Sequence, residues 1–124
     1  MYNIVGTVSV NSYVYWGSKQ GYSALARTSL PTLEASDVAV GDLNRDGWPD
    51  LVFANKSGSA SYIYWGSADG YRPQRRTALP TRPPTRQIVE DLDGDGYLDL
   101  VFAQTHAELH KKPRAYLYWG SENG

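Results

Sequence analysis

The chain of 124 residues contains no cysteine, which excludes disulfide staples, thiol nucleophiles and thiolate metal sites and leaves the redox compartment open. It has no apolar run of membrane-spanning length. Its first residues lack a charged region followed by a long apolar core, so the segment is expected to be soluble, with any signal peptide outside it. Charge of one sign is also missing: 12 Lys and Arg against 13 Asp and Glu give a formal net of −1. No stretch has convincing helical periodicity. Catalytic signatures are scarce, with neither a G-x-S-x-G elbow nor a Gly-rich phosphate loop. His106 and His110 stand four apart around Glu108, but the metalloprotease order is not met, and Lys111, Lys112 and Pro113 suit an exposed hairpin loop.

What is abundant is aromatic and repeated. Tyr and Trp number 10 and 4, as expected where flat side chains pack between β-sheets. Tyr13-Val14-Tyr15-Trp16-Gly17-Ser18 returns as Tyr62-Ile63-Tyr64-Trp65-Gly66-Ser67 and again as Tyr116-Leu117-Tyr118-Trp119-Gly120-Ser121. Trp16 and Trp65 are 49 residues apart, Trp65 and Trp119 54 apart. Arg27-Thr28-Ser29-Leu30-Pro31-Thr32 is matched by Arg76-Thr77-Ala78-Leu79-Pro80-Thr81. A period near 50 with four strands per unit is the arithmetic of a propeller blade. Within 37–80, strands are expected near 37–41, 50–55, 61–66 and 75–79, separated by Gly-rich turns such as Ala68-Asp69-Gly70. Recurrence at one position of each unit makes the Trp a packing residue more readily than a sugar-stacking one.

A second repeat carries the chemistry. Asp42-Leu43-Asn44-Arg45-Asp46-Gly47-Trp48-Pro49-Asp50 recurs as Asp91-Leu92-Asp93-Gly94-Asp95-Gly96-Tyr97-Leu98-Asp99. Oxygen-bearing side chains at positions 1, 3, 5 and 9, with Gly at position 6, suit a hard cation that takes six to eight oxygens. The EF-hand alternative needs a Glu at position 12, where Phe53 and Phe102 stand. Each loop instead runs into a short apolar stretch, Leu51-Val52-Phe53-Ala54 or Leu100-Val101-Phe102-Ala103. Such a run reads as a strand buried on both faces. With Val38-Ala39-Val40 before the first loop and Gln87-Ile88-Val89 before the second, each loop becomes the turn of a β-hairpin.

These segments, 38–55 and 88–104 with the YWGS strands between them, resemble the FG-GAP/VCBS repeat family, the calcium-binding blades also found in integrin α-subunit propellers. The resemblance covers nearly the whole chain in about two and a half repeats: a partial blade at 1–36, a full blade at 37–80 and a partial blade at 81–124. It implies an all-β fold of four-stranded antiparallel β-propeller blades, with Ca²⁺ in the loop joining the first two strands of a blade. The implied ligands are Asp42, Asn44, Asp46 and Asp50 in one loop and Asp91, Asp93, Asp95 and Asp99 in the other, with main-chain carbonyls from Trp48 and Tyr97. The N-terminal copy at 3–7 has only the second strand and no loop before it, so two Ca²⁺ per chain are expected.

Seven of the 13 acidic residues lie in the two loops, and two bound Ca²⁺ would take the net charge from −1 to −1 + 4 = +3. Eight of the 12 basic residues lie from Arg72 onward. That cluster reads as a solvated, aggregation-resistant edge, and nucleic acid is not an expected partner. The function expected is a non-enzymatic, extracellular or cell-surface calcium-binding module for adhesion or for binding a glycan or protein. Its other partners would be copies of itself in a homo-oligomer, most simply a dimer, or the remaining blades of a longer propeller. The alternative is a scaffold fragment of a propeller enzyme acting on polysaccharides.

Overall fold

A computed structural model describes residues 10–81, 86–103 and 115–121. They form nine strands: β1 (Val10–Tyr15), β2 (Arg27–Thr32), β3 (Ala35–Gly41), β4 (Asp50–Asn55), β5 (Ala60–Tyr64), β6 (Arg76–Pro80), β7 (Arg86–Glu90), β8 (Asp99–Ala103) and β9 (Ala115–Tyr118). All pairings are antiparallel, in three sheets ordered β1-β2, β3-β4-β5-β6 and β7-β8-β9. The middle sheet is the full blade expected at 37–80, its strands within two residues of the sequence reading. β5 ends at Tyr64, two residues before the expected end, although the Trp65 N–H still donates to the Arg75 carbonyl at 3.0 Å. The expected strand at 3–7 and the His106–His110 loop lie outside the described residues.

Side-chain alternation explains how the sheets stack. In β4, Leu51 and Phe53 pack with Leu30 of β2 and Tyr64. Val52 and Ala54 point the other way and pack with Leu100 and Phe102 of β8. All six residues of β4 are therefore buried, which is why the run carries no polar alternation. Each fully buried Phe or Leu contributes about 1.5–3 kcal/mol to holding the sheets together.

The repeated tyrosines fasten one sheet to the next. The Tyr64 hydroxyl donates to the Pro31 carbonyl of the preceding sheet, and Tyr118 donates likewise to Pro80. The Arg76 guanidinium lies 4.1 Å from the Tyr62 ring centre. In the first sheet Arg27 sits 4.2 Å over Tyr13 in the same way, yet Tyr13 and Tyr15 are exposed. At the other end Leu92, Leu117 and Trp119 are exposed, whereas their repeat equivalents Leu43, Ile63 and Trp65 belong to the packed seam with the last sheet.

Candidate metal centre in two hairpin loops

Both loops leave a hairpin at the same register: Gly41 pairs with Asp50 and Glu90 with Asp99, so position 9 is the first residue of the returning strand. Position 6 has the positive φ anticipated for it, +90° at Gly47 and +92° at Gly96. Position 1 closes the loop from within. Asp42 accepts the N–H groups of Asp46 at 3.1 Å and Gly47 at 2.8 Å. Asp91 accepts those of Gly94 and Gly96, both at 2.9 Å. The Gly96 N–H leads the interactions that hold the Asp91 carboxyl below its ordinary value. At position 5, Asp46 and Asp95 each accept the N–H of position 7, from Trp48 and Tyr97, at 2.9 Å.

Oxygen atoms converge in both loops. Ligand oxygens of Asp91, Asp93 and Asp99 lie within 4.8 Å of one another. Oxygens held 2.3–2.6 Å from one Ca²⁺ span at most about 5 Å across it, so the trio fits a single ion. Asp95 lies beside Asp93. Desolvation holds the Asp93 carboxyl above its ordinary value; the Asp95 main-chain N–H opposes that rise, while the Asp95 side chain and the charge of Asp99 add to it. In the first loop the Asn44 amide approaches Asp42 Oδ1 to 3.2 Å and Asp46 Oδ1 to 3.1 Å. With its nitrogen inward Asn44 donates to both carboxylates; with its oxygen inward it leaves three oxygens facing a common point, as a cation requires.

Position 9 has a second role that the sequence reading did not assign. Asp50 and Asp99 are fully buried. Asp50 accepts the N–H of Leu43 through Oδ2 and of Gly66 through Oδ1, both at 2.8 Å. Asp99 repeats this with Leu92 and Gly120, again at 2.8 Å. The carboxylate thus ties the loop to the end of the YWGS strand, and each oxygen keeps a lone pair for an ion. Burial raises the Asp50 carboxyl pKa, the two N–H donors oppose that rise, and the charges of Asp46 and Asp42 add to it. The tie explains the Gly of YWGS: a Cβ at Gly66 would lie 2.1 Å from the Pro49 carbonyl oxygen, and one at Gly120 2.0 Å from that of Leu98. The separation between position 9 and that Gly differs in the two repeats, 16 residues in one and 21 in the other, so no fixed spacing signalled the tie.

The two loops also touch. Arg45, at φ +60° where the second loop has Gly94 at +77°, places its guanidinium 5.3 Å from the Tyr97 ring centre. A cation therefore sits between two acidic loops.

A family model described as an FG-GAP-like repeat matches residues 3–53 and again 42–102. No curated protein and no solved structure matches the chain significantly. With two overlapping matches that run through both acidic loops and the strands on either side of them, the chain belongs to the FG-GAP-like repeat family.

Proposed function

We propose that the chain is a non-enzymatic β-propeller module whose blades are fixed by two Ca²⁺ ions, one in each hairpin loop, and which binds a ligand at or outside the cell surface. The observation that carries this reading is the convergence of Asp91, Asp93 and Asp99 within 4.8 Å on a loop whose N–H groups are already used internally. Asp95 and the Tyr97 carbonyl complete that oxygen set. Asp42, Asn44, Asp46, Asp50 and the Trp48 carbonyl form the other. An ion bound to the folded loops and not to the unfolded chain raises stability by linkage. The melting temperature is expected to rise in calcium and to fall on chelation with EDTA. An unchanged melt would count against both sites.

The exposed end faces belong to the same proposal. Tyr13, Tyr15 and Arg27 on one side and Leu92, Leu117 and Trp119 on the other correspond by repeat to the two halves of seams the chain makes internally. Such faces call for neighbouring blades, from a second copy or from the rest of a longer propeller. Light scattering of this chain in calcium is expected to give a mass above 13.8 kDa; a well-folded monomer at all concentrations would refute self-assembly.

A further inference from the structure

We propose that the cleft between the first and middle sheets, beside the 42–50 loop, binds a neutral sugar ring. This deepens the ligand-binding reading above and rests on it, but not on the metal. The cleft encloses about 450 Å³, within the range of about 300–1,000 Å³ usual for small-molecule sites. Trp16, Trp48, Asp69 and Tyr71 line it.

Its aromatic floor is held in place before any ligand arrives. Trp16 and Tyr71 stack with ring centres 6.0 Å apart and planes 17° off parallel. The Trp16 indole N–H donates to Thr28 Oγ1 at 2.9 Å, and the Tyr71 hydroxyl donates to the Pro49 carbonyl at 2.9 Å. Even so, Trp16 is 42% exposed and Trp48 45% exposed. Among the described residues, the Trp48 indole N–H has no hydrogen-bond partner. The turn after Trp65 sets Asp69 at the rim: Ser67 Oγ donates to the Gly70 carbonyl at 2.9 Å and accepts the Asp69 N–H at 3.2 Å. Among the described residues, the Asp69 carboxylate meets only Arg72, at 3.9 Å.

These groups select a ligand class. A pyranose offers a face of weakly positive C–H bonds to the negative face of an indole, and a ring of hydroxyls to donors and acceptors at the edge. Asp69 would accept from such a hydroxyl in a charge-assisted bond. An anionic ligand is opposed by Asp69 and the acidic loop. A quaternary ammonium needs aromatic walls around it, whereas Trp16 and Tyr71 lie nearly parallel as one flat stack. Among the described residues the next seam differs: Trp65, half-buried, packs against the hydrophobic core and lines with Trp119 a smaller cavity of about 230 Å³, and Arg45 covers Tyr97.

The test is titration of the whole chain in calcium buffer with methyl glycosides of glucose, galactose, mannose and N-acetylglucosamine, with choline alongside. Indole emission and calorimetry are the readouts. At least one glycoside is expected to bind saturably at a single site and shift the emission. Trp48→Ala should weaken that binding by about tenfold, the size of one lost ring contact. Asp69→Asn should weaken it as well, whereas Trp119→Ala, which removes a more exposed indole outside the cleft, should not. Circular dichroism checks that each variant is folded. No saturable response to any glycoside, preference for choline, or undiminished binding by both Trp48→Ala and Asp69→Asn overturns the proposal. Calcium titration of the same samples separates the two readings: sugar binding without calcium binding refutes the metal sites alone, and calcium binding without sugar binding refutes this pocket alone.

Discussion

The loops at 42–50 and 91–99 share their hydrogen-bonded frame and differ in the groups it presents. In both, position 1 closes the turn, position 5 holds the N–H of position 7, and a buried position 9 reaches across to the next strand. Position 3 is Asn44 in one and Asp93 in the other, so the second loop gathers one more negative charge. Position 7 is Trp48, with an open face on the cleft, against Tyr97, whose ring lies beneath Arg45. The backbone frame is therefore separable from the ligand charge: one sets where oxygens point, the other would set how strongly they hold an ion on the proposed reading.

The separation can be broken at its tightest point. A methyl group at Gly66 or Gly120 collides with a main-chain oxygen and not with a pliable side chain, so the hairpin must shift away from its neighbouring strand. Gly66→Ala is expected to cost about 3 kcal/mol in urea unfolding, at the upper end for overpacking. Gly120→Ala should cost less, because among the described residues the middle sheet is flanked on both sides and the last sheet is covered on one. Equal and negligible losses would mean that the close approach has no energetic consequence.

A smaller effect is expected at the buried carboxylates. Asp50→Asn and Asp99→Asn keep the shape but turn an amide N–H₂ toward a main-chain N–H, leaving a buried donor unmatched. Each should lose about 1–3 kcal/mol when measured in EDTA, where no ion contributes. A loss seen only in calcium would show that position 9 acts as a ligand and not as a tie.

Much of this frame was legible in the sequence because it rests on local signals. The alternation-free run at 51–54 gave a strand buried on both faces, that at 100–103 a strand with Leu100 and Phe102 buried but Val101 and Ala103 only half-buried, and Gly47 and Gly96 marked the left-handed turn. The tie from Asp50 to Gly66 was harder to read. It spans 16 residues and depends on a strand pairing that no local pattern encodes. Arg45 was hidden for another reason: a long cationic side chain at positive φ is disfavoured locally and is held here between two acidic loops, against Tyr97. The cleft followed from neither signal. Trp16 and Trp65 occupy the same repeat position, and only the three-dimensional packing distinguishes the exposed ring from the half-buried one packed against the core.

The central claim is that a common frame binds two ions with affinities ordered by ligand charge. Calorimetric titration of the whole chain with Ca²⁺, repeated on Asn44→Asp, tests it most directly. The account predicts two unequal sites in the native chain and selective tightening of the weaker one in Asn44→Asp, toward the affinity of the stronger. A single site, no site, or a weaker site unmoved by Asn44→Asp would contradict it.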